Sequence, residues 1–158
     1  MPLAGLGMVS YTLMTLSAVT LFKEVDLGEN PFAVAGKWFA LPGLFTVFCV
    51  FQVALGRMPF FAPPPEKKMQ MATAVLNNSM EQLVLHILCL LALAGTLPPA
   101  WAIMLPVTSV MWVVGRIAFR QGYMSPVSPI FRGWGFMCAM FATVCSLVYV
   151  TLNIFFGA

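Results

Sequence analysis

Glu81 and Arg116 stand equally far from the Pro98-Pro99 pair, one before it and one after it. Between them lie Gln82–Leu97 and Ala100–Gly115, two stretches of equal length without a formally charged residue. A Pro-Pro step does not continue a helix, so the pattern predicts a membrane hairpin with arms of about 24 Å each. Arms of equal length return to the same side, where a carboxylate and a guanidinium can pair. The hydrocarbon core is about 30 Å thick, so both charges are expected just inside it. A lone charge at mid-membrane costs roughly 2.5–3.5 kcal/mol on insertion scales, less towards the interface, which favours pairing. By helical spacing Asn78, Glu81, Gln82 and His86 share an arc of the outgoing helix, and Arg116, Phe119, Arg120 and Tyr123 share one of the returning helix. Arg132 opens the next span. Donors, acceptors and a phenol thus converge at one membrane level. An ion pair that only pins two helices is the plainer reading of the same charges.

The elements that must position these residues follow from composition. Of 158 residues, 61% are hydrophobic and 8% charged, and the mean hydropathy is +0.93. Too few charges are present to cover a soluble domain, so the chain reads as an all-α integral membrane protein with one transmembrane domain over residues 1–158. Apolar stretches predict five spans, at about 3–22, 38–56, 72–97, 100–123 and 133–156. The first lacks the basic start and small-residue cleavage site of a signal peptide, so it is read as a retained helix. Lys23–Lys37 reads as a loop around a Gly-Glu-Asn-Pro turn, with Pro42 kinking the following helix. Pro63-Pro64-Pro65 holds the next loop extended. Gly133 and Gly135 are expected to admit another backbone at the start of the last span.

Five spans place Arg57, Lys67, Lys68, Arg116, Arg120 and Arg132, six of the eight basic residues, on one side. That side is expected to be cytoplasmic, with the N-terminus inside and the C-terminus lumenal. A net charge of +3, scattered along the chain, argues against nucleic-acid binding. Cys49, Cys89, Cys138 and Cys145 sit in apolar runs without metal-ligand spacing, so neither a metal site nor a disulfide is expected. His86 is read as a neutral interhelical donor, Gln52 as a packing amide, and Arg120 as a residue snorkelling to phosphates. No internal duplication is present to suggest a transporter.

Three spaced motifs resemble the MAPEG family, the membrane-associated proteins in eicosanoid and glutathione metabolism. They are Asn78-Ser79-Met80-Glu81, then Gly115-Arg116-Ile117-Ala118-Phe119-Arg120-Gln121-Gly122-Tyr123, then Arg132 nine positions on. The resemblance implies a four-helix bundle, here with one extra N-terminal transmembrane helix, assembled as a homotrimer. It further implies glutathione bound between subunits near the cytoplasmic face, with Asn78, Glu81, Gln82, Arg116, Tyr123 and Arg132 as the binding set and Arg132 holding the catalytic thiolate. Ala74 stands where the family usually has an arginine, and Phe119 where it has a tyrosine or histidine. Arg57, Lys67 or Lys68 could reach back to replace the lost cation. The added span resembles a divergent branch of the family. This implies a regulator of membrane lipids or of membrane-protein (receptor) turnover in the endoplasmic reticulum or Golgi, with a lipid or other lipophilic molecule and a membrane protein as partners. The alternative is a glutathione transferase or peroxidase acting on lipophilic electrophiles. That branch carries a long cytosolic N-terminal region not found in this sequence, so a minimal or trimmed relative is expected.

Overall fold

A computed structural model describes residues 2–22, 30–58, 60, 64–125 and 129–157. Regular structure among them is helical: α1 (Pro2–Phe22), α2 (Pro31–Trp38), α3 (Ala40–Arg57), α4 (Glu66–Thr96), a 3-10 turn (Pro99–Trp101), α5 (Met104–Met124) and α6 (Pro129–Phe156). Among the described residues four stretches are long and apolar enough to cross a membrane: Pro31–Arg57, Glu66–Thr96, Pro99–Met124 and Ile130–Phe156. α1 precedes them and packs mainly along α6. Its Tyr11 meets Phe141 edge-on at 5.4 Å and is buried with Met111, Cys138 and Ala142.

The second span starts earlier than the charge of Lys37 suggests. Pro31–Lys37, expected within a loop, is helical because Asn30 caps it: the Asn30 side-chain oxygen accepts from the Phe32 amide at 2.9 Å, and Pro31 takes the first helical position. The helix is interrupted at Phe39. Pro42 has no N–H to offer the carbonyl four residues earlier, that of Trp38, so the break falls one turn before the proline. Residues 23–29 of the expected loop lie outside the described residues. α4 also begins early, at Glu66, directly after the proline run. With 31 residues it is about 46 Å long, so its first turns, with Glu66, Lys67 and Lys68, extend beyond an apolar layer of about 30 Å.

The most extensive helix contact is between α5 and α6, and glycine makes it possible. A Cβ on Gly115 would sit 2.8 Å from the Gly135 carbonyl oxygen, and one on Gly135 would collide with the α5 backbone at Gly115 and Phe119. Small residues let backbones approach in a membrane, where packing rather than water exclusion drives helix association. Gly133 has open space where a Cβ would go, so of the two glycines expected to serve this purpose only Gly135 does. At the Pro98 end, Leu90, Leu93 and Ala94 of α4 pack with Val34, Ala35, Leu105 and Val150. Towards the other end, Trp112 and Phe119 of α5 pack with Phe45, Cys49, Val75 and Ala139.

Candidate ligand pocket at the polar end of the bundle

Arg116 projects from α5 into the bundle and is fully buried, at 0% exposure. Its Nη1 donates to Asn78 Oδ1 at 2.9 Å and to Gln82 Oε1 at 3.1 Å, and its Nη2 donates to Ser79 Oγ at 2.8 Å. All three acceptors belong to α4. The guanidinium also lies over the Phe119 ring at 4.2 Å. The expected ion pair with Glu81 does not form, because Glu81 is exposed on the outer side of α4. Steps of about 100° per residue put Val75, Ser79, Gln82 and His86 within an arc of about 60°, and Glu81 falls about 130° from its middle. The arc drawn from sequence was wide enough to include Glu81. The position of α5 selects the narrower one.

Asn78 joins this buried cluster to a cavity. Its carbonyl oxygen is held by Arg116, which orients the amide and leaves the Nδ2 donors for another partner. Asn78, Phe119, Tyr123, Arg132 and Phe136, with Ala74 and Gly133, line a cavity of about 640 Å³ formed by α4, α5 and α6. An adjoining cavity of about 560 Å³ shares Ala74, Tyr123 and Arg132 and adds Lys67, Gln70 and Ser125. Arg132, in the first turn of α6, lies over the Tyr123 ring with its guanidinium carbon 4.5 Å from the centroid. Gly122 sets that juxtaposition: a Cβ there would overlap the Arg132 backbone, so only glycine lets α6 begin against the last turns of α5.

Of the residues selected from sequence, Asn78, Tyr123 and Arg132 line one cavity, Arg116 and Gln82 lie behind it, and Glu81 points away. Ser79, Gln70, Gly122 and Phe136 belong to the arrangement and were not singled out as such. Ser79 follows Asn78 and falls within the buried arc, a periodicity signal that was available; Gly122 had none apart from its type. Lys67, considered as a substitute cation, lines the adjoining cavity. His86, expected to donate between helices, instead stacks on Trp112 at 5.5 Å, and its Nε2 has no hydrogen-bond partner. Arg120, expected to snorkel, donates to Gln52 Oε1 of α3 at 3.0 Å and lies over Phe48 at 5.1 Å. Among the described residues no group of His, Cys, Asp and Glu could hold a metal ion.

A bundle of apolar helices with a basic, half-aromatic cavity at one end defines a polytopic membrane protein. The chain belongs to the MAPEG family, whose model matches residues 34–152. Members of that family commonly use glutathione and are typically membrane homotrimers. The match begins within α2, so α1 lies outside it. Neither a curated protein nor a solved structure gives a significant match.

Proposed function

We propose that this chain binds glutathione in the pocket between α4, α5 and α6 and holds its sulfur beside Arg132, where a lipophilic electrophile arriving from the bilayer meets it. The observation that carries the reading is that Asn78, Tyr123 and Arg132, from three helices, line one cavity in which Arg116 already orients the Asn78 amide. Glutathione has two carboxylates, an ammonium and a thiol, and the residues present suit it. Arg132 and Lys67 put a cation on each of two adjoining cavities, Asn78 offers amide donors, and Phe119 and Phe136 give an apolar wall. Lys67 then serves the carboxylate for which Ala74 provides no cation. Gln82 acts through Arg116 and not on the ligand.

Bound there, glutathione supplies a sulfur nucleophile. Arg132 favours the ionised sulfur, because a neighbouring cation lowers a thiol pKa and raises the thiolate fraction at neutral pH. Tyr123, stacked against Arg132, limits where that cation can point. Glu81 supports assembly from several copies. It is an exposed carboxylate at the middle of α4, on a face that also shows Asn77, Met80, Val84, Leu85 and Leu88, and an uncovered charge in lipid is costly. A homotrimer buries it between copies and closes the open side of the pocket. α1 is a fifth pass, which puts the N-terminus and the pocket on the cytoplasmic side of an endomembrane, where the excess of basic residues belongs.

Purified protein titrated with glutathione should develop the ultraviolet absorbance of a thiolate, with Arg132→Lys keeping part of it and Arg132→Ala none. No thiolate signal in the unaltered protein, or the same signal in Arg132→Ala, would overturn the assignment. A second reading is favoured by Ala74 and Phe119, both in the cavity wall, where the family usually carries polar or charged residues. On this reading the chain resembles mattrin, a divergent MAPEG-like protein, and occupancy of the pocket regulates membrane lipids or receptor turnover without conjugation. Thiolate formation without turnover of any lipophilic electrophile distinguishes it from the first.

A further inference from the structure

We propose a second ligand site, at the opposite end of the bundle, that takes a neutral lipid carrying one hydroxyl, of the sterol class. α1, the turn between α4 and α5, and α6 enclose a cavity of about 430 Å³ walled by residues that include Tyr11, Thr15, Leu97, Trp101, Cys145 and Tyr149. That volume lies within the range of pockets for compact organic ligands. No Asp, Glu, Lys, Arg or His is among its lining residues, so a charged headgroup would go uncompensated in a low-dielectric layer. A charged or zwitterionic lipid is therefore the wrong occupant.

Thr15 is what asks for a hydroxyl. Most buried threonines and serines of the other helices return their side-chain hydroxyls to the carbonyl four residues back: Thr46 to Pro42 at 2.9 Å, Ser79 to Val75 at 2.7 Å, and Ser146 to Ala142 at 2.8 Å, the exception being Ser109 of α5, which does not line this cavity. In α1 itself, Thr12 and Thr20 do the same at 2.9 Å. Thr15, only 8% exposed, does not, and its Oγ1 has no hydrogen bond of good geometry. The Tyr11 phenol comes close enough to interact with it, so the two form one polar spot in an otherwise apolar wall. A buried hydroxyl with no partner at all costs about 1–3 kcal/mol; the poorly aligned contact with Tyr11 recovers part of that, and a ligand hydroxyl bonding to Thr15 would recover the rest. Trp101, 51% exposed, lines the same cavity and suits a mouth at the membrane interface. One wall comes from α1, outside the region matched by the family, so this site is independent of the glutathione pocket.

The test uses the full chain in nanodiscs with a diazirine-bearing sterol and, as control, a diazirine-bearing phosphatidylcholine, with adducts mapped by peptide mass spectrometry. The sterol probe should label peptides containing Trp101 and Tyr149 and be competed by unlabelled sterol. Labelling should fall about fivefold in Thr15→Val, the loss of one neutral hydrogen bond, and vanish in Cys145→Trp, which fills the cavity. Arg132→Ala should leave it unchanged, and Cys145→Trp should still bind glutathione if that pocket is as assigned. Should Cys145→Trp fail to fold, the near-isosteric Thr15→Val still decides. Equal labelling by the phosphatidylcholine probe, or labelling indifferent to Thr15→Val, would overturn the site.

Discussion

Replacing Arg116 by methionine should cost little stability and much ligand affinity. The substitution strips the donor from the buried Gln82 Oε1 and the part-buried Asn78 Oδ1, whereas Ser79 Oγ keeps its bond to the Val75 carbonyl. Orphaning Gln82 Oε1 costs about 1–3 kcal/mol, Asn78 Oδ1 costs less because it borders the cavity, and loss of the cation over Phe119 adds about 1 kcal/mol. Against this, Arg116 is a fully buried cation paired only with neutral groups, and its Nε has no partner. Removing an uncompensated buried ion recovers several kcal/mol. The two sides nearly cancel, so Arg116→Met should lie within about 2 kcal/mol of the unaltered protein in reversible unfolding in mixed micelles. Arg116→Lys should be the less stable of the two. It keeps the charge in the same dry site, but a single ammonium cannot reproduce the planar fork that reaches Asn78, Ser79 and Gln82 together. In both variants the Asn78 amide is released, and glutathione affinity should fall about tenfold, the equivalent of about 1.4 kcal/mol. A loss above about 4 kcal/mol in Arg116→Met with Arg116→Lys near normal would refute the reasoning. It would mean that a counter-charge, such as Glu81 of another copy, faces Arg116 after all.

Three further expectations test the frame around the site. Gly135→Val should destabilise by about 3 kcal/mol or more, since the new side chain meets the α5 backbone, whereas Gly133→Ala should stabilise slightly, by under 1 kcal/mol; unfolding of the two variants side by side gives the comparison. Lys67→Ala should weaken glutathione binding about three- to tenfold and make the remaining affinity less sensitive to salt, as read by equilibrium dialysis at two ionic strengths. Asn30→Ala should remove the cap of α2 at a cost of about 1 kcal/mol, seen as faster hydrogen exchange at the amides of residues 32–36.

Much of the architecture was legible because a membrane constrains it so tightly. The Pro98-Pro99 step, flanked by uncharged stretches, does separate α4 from α5, with a short 3-10 turn between them. Arg132, Tyr123 and Asn78 are site residues by the resemblance that three spaced motifs carry, and in the structure they border one cavity. Two boundaries were misread for a local reason. Pro31–Lys37, mostly apolar but closed by Lys37, and Glu66–Met71, polar and charged, are both helical, since the placing of charges reports where lipid ends and not where a helix starts. The Asn30-Pro31 cap was a better marker for the first of these than the charges around it. The Glu81–Arg116 pair failed for a different reason, because equal depth on two helices does not make two side chains face each other.

The sequence by itself determined that this chain is a helical membrane protein, where its hairpin turns, and at which end its charges collect, since each of these depends only on the order of apolar and polar residues along one line. Tertiary structure alone decided which face of α4 turns inward. It thereby decided that neutral Asn78, Ser79 and Gln82 hold Arg116, with Glu81 left outside. It also decided that Gly115, Gly122 and Gly135 are contact points and that Thr15 is left without its usual backbone bond. The physical reason is that helical periodicity fixes the angle between side chains on one helix, but the direction of the neighbouring axis comes only from packing, and packing is a property of several helices at once.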